Sequence, residues 1–407
     1  MPKILYISYD GMTDPLGQAQ VIPYLLGLSK LGLDFLILSA EKAPNYLENK
    51  KNIGKLLAEH NITWYPVSYT KNPPILSTIL DIFRMGRRAR ALHKEQHFDI
   101  VHCRSYITAL IGLWMKKRYG IKFIFDMRGF WADERVEGGL WNLRNPIYNI
   151  IYHYFKRKEK DFLANADYVI SLTYKAKDEI DSFKLSKPAR NIEIIPCCAD
   201  LQHFSQENID VKFRDAFKKE NGITDEDFII SYLGALGTWY LLNEMMLFFK
   251  CLLQEKPHSK FLFITTEQPT DIYATADKLG IDRNLLIITK AARSKVPALL
   301  SLSKVSIFFI KPGFSKKATS PTKAGEMMAM GIPLICNDKI GDMEKIIKET
   351  RAGTLVTTFT EEAFHEVIKN MDLKPDENVR ESAQKYFSLD SGVKKYYEVY
   401  QKLLSGK

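Results

Sequence analysis

The chain has 407 residues, 46% of them hydrophobic and 26% charged, an ordinary globular composition without a repeat or low-complexity tract. No run of about 18 uninterrupted apolar residues exists, which argues against a spanning helix; the richest stretch, Tyr240 to Leu253, is broken by Asn243, Glu244 and Lys250. The net charge of +10 points to an anionic partner (nucleic acid, an acidic membrane surface or a phosphorylated substrate) or to a solvated basic surface.

The length fits two domains of roughly 200 residues, each able to bury its own core. Pro2 to Asp10 reads as a strand running into a turn, not as a signal peptide. The five cysteines show neither metal spacing nor a disulfide framework. A reducing, cytoplasmic setting is the expectation, with Cys197-Cys198 structural.

Short apolar runs alternate with helical segments through the first half. Strands are expected at Ile4 to Tyr9, Phe35 to Ser39, Asn61 to Val67, Phe98 to Cys103, Lys122 to Asp126 and Tyr168 to Leu172. A helix at Val21 to Leu31 tolerates Pro23 in its first turn. Such alternation implies parallel sheet and βαβ units. Ile192 to Ile195 leads into Pro196, and a hinge is expected near residues 196 to 208. The pattern then restarts. A helix near Phe213 to Glu220 precedes strands at Phe228 to Leu233, Phe261 to Thr265, Leu285 to Thr289, Ser306 to Ile310, Pro333 to Cys336 and Thr354 to Val356. The fold class is α/β: two doubly wound, Rossmann-like domains, 1–200 and 201–388, facing a central cleft. Ligands bind such sheets at the carboxyl ends of their strands. In 389–407, Val393, Tyr396, Tyr397, Tyr400, Leu403 and Leu404 share one helical face. That helix packs back across the hinge or belongs to the second domain.

The strongest chemical signal runs from Ser320 to Pro333. Pro321 and Thr322 start a helix and Gly331 ends it. A helix N-terminus at the mouth of a parallel sheet suits a phosphate. Lys323 puts a full positive charge in that first turn, which is unfavourable unless an anion binds. Glu326, one turn further, can accept two hydrogen bonds from a ribose diol, or can serve as dipole compensation or a partner for Lys323.

This segment resembles the donor-site signature of family 4 glycosyltransferases of the GT-B fold. There, a Glu on such a helix holds the nucleotide ribose and is followed by Gly and Pro; Glu326, Gly331 and Pro333 match. Pro321-Thr322-Lys323 is similar to a subgroup with Pro, Ser or Thr, then Lys. The family's first Glu is replaced by Ala318. After the strand ending at Leu233, the family's pyrophosphate-facing Arg and Lys are replaced by Ala235 and about Tyr240. Lys323 is expected to supply that missing charge.

The resemblance implies a nucleotide-sugar donor site using Gly17, Gln18, Gly234, Gly237, Thr238, Arg293, Ser320, Thr322, Lys323 and Glu326. Gly17 and Gln18 lie in the long loop Asp10 to Gln20, which matches the family's N-terminal Gly-rich loop. His102 and Arg104 occupy places where the family commonly has two His; His102 reads as a core histidine. Asp126-Met127-Arg128-Gly129-Phe130-Trp131-Ala132-Asp133-Glu134 resembles the subgroup's acceptor-side loop, or is simply a salt-bridged loop. Asp126, Arg128, Trp131, Asp133 and Glu134 are its candidates, and Lys323, Glu326, Arg128 and Arg104 the catalytic ones.

The implied reaction is retaining hexosyl transfer to a saccharide or polyprenyl-linked saccharide, in polysaccharide or lipopolysaccharide assembly. No cofactor or metal is expected. Rival readings are a GT-B epimerase or phosphorylase, and a non-catalytic nucleotide-sugar-binding subunit. Nucleic acid is not an expected partner, since no binding module is recognisable. Phe83 to Lys94 and Trp141 to Lys160 interleave basic and aromatic residues. They suit the inner face of an anionic membrane, or are amphipathic surface helices.

Overall fold

The computed structural model describes residues 2–189, 191–371 and 377–405. The chain divides into two compact units: Met1–Pro196 with Phe314–Thr319 and Leu389–Lys407, and Cys197–Gly313 with Ser320–Ser388.

Unit 1 is built on a seven-stranded sheet: β1 Lys3–Ser8, β2 Asp34–Glu41, β3 Thr63–Ser68, β4 Ile100–Arg104, β5 Lys122–Asp126, β6 Tyr168–Ser171 and β7 Ile192–Ile194. The spatial order is β3-β2-β1-β4-β5-β6-β7 and every pairing is parallel. The central strands are buried almost throughout because helices cover both faces of the sheet. The edge strand β3 holds only exposed and half-buried residues. On one face, the helices Leu76–Gln96, Ser105–Tyr119 and Pro146–Asn165 bury Met85, Tyr106, Met115 and Phe162 against Val101, Phe123 and Phe125.

Unit 2 has a six-stranded sheet: β8 Phe228–Leu233, β9 Ser259–Ile264, β10 Leu286–Thr289, β11 Val305–Phe308, β12 Leu334–Asn337 and β13 Gly353–Val356. Its order is β10-β9-β8-β11-β12-β13, again all parallel. Both sheets start at a central strand, grow to one side, then return to grow on the other. That creates a switch point in each, between β1 and β4 and between β8 and β11, where adjacent crossovers diverge and leave a crevice.

Two local readings are corrected. The segment Asp10 to Gln20 is not one long loop: Pro15–Gln20 forms a short helix before the helix Ile22–Lys30. The segment after Asp126 is a loop only to Phe130, and Trp131–Glu137 is helical. Proline at the first turn starts the former helix, because its missing N–H has no helical partner there in any case. The C-terminal helix Leu389–Ser405 belongs to unit 1, with Val393, Tyr396, Val399, Tyr400 and Leu403 buried. All five cysteines are free and buried.

Candidate functional site

In unit 2, the strand end of β8 and the helix Thr322–Ala329 face one another at the switch point. Gly234 follows β8 with φ +105°, a conformation open to glycine at little cost. A Cβ there would stand 3.3 Å from Lys323 Nζ, so the absent side chain also makes room for the lysine. Lys323 Nζ donates to the Tyr232 hydroxyl at 2.9 Å, and Tyr232 donates to Ala235 O at 2.7 Å. The same ammonium lies 3.6 Å from the Tyr240 ring centre and 4.1 Å from that of Tyr232. Burial pushes Lys323 well below the usual lysine range, opposed by Glu326.

Glu326 is buried, and its Oε1 accepts from Arg293 Nη1 at 3.2 Å. Burial raises its pKa, while Arg293 and Lys323 pull it down. Arg293 is exposed in the short turn Arg293–Lys295 and its guanidinium lies 5.2 Å from the Phe204 ring centre. Glu326, Arg293 and Lys323 therefore form one cluster, in which burial works against charge on both Glu326 and Lys323. Ser320 precedes it, its Oγ accepting from Cys197 N at 3.1 Å. Thr322 is half-buried at the helix start, whereas Gly237 and Thr238 lie in the exposed turn after β8.

In unit 1, the groups gather at the carboxyl ends of β1, β4 and β5. Arg104 is buried; its Nε donates to Asp10 Oδ2 at 3.2 Å, which bridges the switch point. Arg104 and Arg128 both donate to Gln20 Oε1, at 3.4 and 2.9 Å. Arg128 adopts φ +58°, an unusual conformation for a residue with a Cβ. Its Nη1 lies 3.8 Å from Asp126 Oδ1. Burial works against ionisation of Asp126, but Arg128, His102 and Arg104 together hold its pKa below the usual value. Asp126 Oδ2 accepts from Tyr396 at 3.1 Å and lies 3.5 Å from His102 Nε2. His102 Nδ1 is 2.6 Å from the Tyr400 hydroxyl. Burial lowers the pKa of His102, so the ring is neutral. A proton on Nε2, facing the carboxylate, leaves Nδ1 to accept from Tyr400.

Gly17 is buried against the preceding turn: a Cβ would meet Gly11 O at 2.1 Å. Gln18 is exposed and its Nε2 donates to Thr13 O at 3.0 Å. Trp131, Asp133 and Glu134 are occupied elsewhere. Trp131 is half-buried against Tyr106, Trp141 and Phe155, with Arg135 over its ring. Asp133 accepts from Tyr152 and Lys156, and Glu134 from Lys316. The structure thus joins Asp126, Arg128 and Arg104, and leaves those three out of the cluster.

The sequence model "Glycosyltransferase Family 4" matches residues 24–203, and "Glycosyl transferases group 1" matches residues 213–386. The chain belongs to the family 4 glycosyltransferases. No curated protein matches it by sequence. Similar solved structures include a sucrose-phosphate synthase from Thermosynechococcus elongatus, at 13% identity and TM-score 0.72 with 100% of both chains covered. A glycosyltransferase from Rickettsia africae has 17% identity and TM-score 0.71, covering 100% of this chain and 99% of the other. HepE from Anabaena, in complex with UDP and glucose, has 13% identity and TM-score 0.68, covering 98% and 100%. At such identities the likeness establishes the GT-B fold.

Several residues of this glycosyltransferase's candidate sites escaped the sequence reading. Tyr240 stood out only as a missing lysine, and Tyr232 as a core residue of β8. Gln20 lay in the quoted N-terminal segment, but nothing in its spacing ties it to Arg104 and Arg128. Glu41 is the clearest miss. This buried carboxylate at the end of β2 accepts from Met12 N, Thr13 N, Thr13 Oγ1 and Ser39 Oγ at 2.5–3.1 Å. An acidic residue closing an otherwise apolar strand beside a Gly-containing turn was the available signal.

Proposed function

We propose that this glycosyltransferase takes its donor as a nucleotide sugar in unit 2 and transfers the sugar, with retention, to a hydroxyl of a saccharide or polyprenyl-linked saccharide. The observation that carries the reading is the Glu326–Arg293–Lys323 cluster at the switch point of that sheet. Glu326, once ionised, accepts hydrogen bonds from the two ribose hydroxyls. Arg293 opposes the effect of burial on its pKa and so favours the carboxylate. Lys323 and the N-terminus of the helix Thr322–Ala329 stabilise the diphosphate, most strongly as it leaves with its developing charge. Gly234, Gly237, Thr238, Ser320 and Thr322 shape the adjoining backbone. In a front-side displacement, the departing phosphate oxygen takes the proton of the attacking hydroxyl. That accounts for a site with no assigned protein base. Positive charge from Lys323 and the helix end stands in for a metal.

Arg104 and Arg128 offer fixed donors to sugar or phosphate oxygens at the switch point of unit 1, with Asp126 anchoring Arg128. The test is a thermal-shift screen with UDP, GDP, ADP and CMP, followed by product analysis of the matching nucleotide sugar with and without saccharide acceptors. One nucleotide should raise the melting temperature, and sugar should move only when acceptor is present. No response to any nucleotide would overturn the donor reading, and conversion of the nucleotide sugar alone would indicate an epimerase.

The acceptor's lipid anchor is supported by a face of unit 1. Leu76, Ile79, Leu80 and Phe83 are each at least 55% exposed and recur at helical spacing. Ile147 and Ile150 are exposed on Pro146–Asn165. The three helices of that layer carry twelve Lys or Arg against four Asp or Glu, a local excess of eight positive charges where the whole chain has a net charge of +10. Among the described residues no helix is long and apolar enough to cross a membrane. Peripheral docking on acidic lipid fits both features. Vesicles rich in acidic lipid should carry the protein in flotation at low salt, and Ile79→Glu with Phe83→Glu should abolish this. Absence of flotation, or concentration-dependent dimerisation relieved by the same changes, would replace the membrane by a second copy.

A further inference from the structure

Both expected phosphate-facing cations after β8 are missing, yet the position of one holds a ring in contact with the remaining lysine. We propose that Tyr232 and Tyr240 form an aromatic cage that positions the Lys323 ammonium for the diphosphate of the donor. The inference rests on the donor reading above and assigns these tyrosines as positioning residues.

The cage has two walls. The rings of Tyr232 and Tyr240 are 5.7 Å apart and meet edge to face at 76°. Lys323 Nζ lies 4.1 Å from the centre of Tyr232 and 3.6 Å from that of Tyr240, within the range where a cation is drawn to the ring's negative face. Both phenols are neutral: burial pushes Tyr240 up to about 12 and Tyr232 higher still. The attraction therefore comes from ring faces and one hydroxyl, not from a phenolate. Such a cage orients an ammonium without neutralising it, as a carboxylate would. Among the described residues, the hydrogen-bond partner of Lys323 is the Tyr232 hydroxyl. An ammonium has three donors, so two remain for ligand oxygens. Gly234 keeps the space beside Nζ free of a side chain. Tyr240 is itself fixed by backbone: it bridges Ile310, and Leu241 N donates to Phe309 O at 2.9 Å. The loop after β8 thus contributes a ring where its relatives' pattern has a cation, and the charge arrives from the facing helix.

The test measures affinity by calorimetry, using whichever of UDP, GDP or ADP binds the wild-type chain and the corresponding phosphate-free nucleoside. Tyr240→Leu should weaken the diphosphate about tenfold and leave the nucleoside unchanged. Tyr240→Phe, which keeps the ring, should restore wild-type affinity. In a Lys323→Met background, Tyr240→Leu should cause no further loss. Tyr232→Phe, which removes only the hydroxyl, provides a second variant if Tyr240→Leu does not fold; it should weaken the diphosphate alone. Unchanged diphosphate affinity in folded Tyr240→Leu or Tyr232→Phe, equal losses for nucleoside and diphosphate, or losses that add to that of Lys323→Met would overturn the cage. If no diphosphate binds the wild-type chain, the donor reading fails first and the cage with it.

Discussion

The Tyr396 hydroxyl donates to Asp126 Oδ2 at 3.1 Å, joining the C-terminal helix to the end of β5 across 270 residues of chain. With His102 on the same oxygen and Arg128 facing the other, Asp126 is a buried carboxylate held ionised by its surroundings. A depressed carboxyl pKa stabilises the fold above the unfolded value near 4. That contribution disappears as pH falls through the lower, folded value. Asp126→Asn should therefore destabilise unit 1 by about 2 kcal/mol at neutral pH and by less in acid. Tyr396→Phe should cost about 1 kcal/mol. Urea titrations at several pH values check both.

Glu326 is shifted the other way, because burial raises its pKa, so its effect is lost at a higher pH than that of Asp126. Nucleotide binding needs the carboxylate, so affinity should fall as pH drops through that raised value. Arg293→Ala removes a lowering influence and should move the loss to higher pH. Glu326→Ala should weaken ribonucleotide binding about tenfold or more, with the 2′-deoxynucleotide affected much less. Calorimetric pH profiles of the three proteins decide the matter.

Gly17 is required by contact. A Cβ would stand 2.1 Å from Gly11 O and 2.8 Å from Met12 Cα, both backbone atoms that cannot rotate away. Gly17→Ala should cost about 3 kcal/mol and lower the melting temperature by roughly 10 °C. Differential scanning calorimetry measures this directly.

Glu41 fastens the same turn from below. Each of its oxygens accepts from two donors, so an amide in its place would point N–H groups at N–H or O–H groups. Glu41→Gln, although isosteric, should destabilise by about 3 kcal/mol. Amide exchange at residues 11–14 should accelerate more than in the rest of unit 1.

The charge arrangement proposed for the donor phosphates requires no divalent cation. Transfer activity should survive saturating EDTA unchanged. A large loss restored by Mg²⁺ or Mn²⁺ would refute this.

Strand positions were legible along the chain because each central strand of a doubly wound sheet is buried on both faces and reads as an apolar run. β5 and β8 keep the bounds expected for them, and the other strands shift by a few residues at their ends. Glu326 and Lys323 were nameable because they stand at fixed steps in a helix start whose chemistry suits a nucleotide, and Arg293 was named only through the family resemblance. Their mutual contacts were not.

Local periodicity and turn chemistry thus determined, from the sequence alone, the α/β class, the strand runs and the helix that carries Glu326. Only the tertiary structure decided that Tyr240 cages Lys323, that Gln20 joins Arg104 to Arg128, and that Tyr396 and Tyr400 close over Asp126 and His102. It also took Trp131, Asp133 and Glu134 away from the cluster around Asp126. The physical reason is range. Propensity and hydrophobic pattern act over a few residues, whereas a buried polar group finds its partners wherever the packed sheet brings them, here up to 298 positions away.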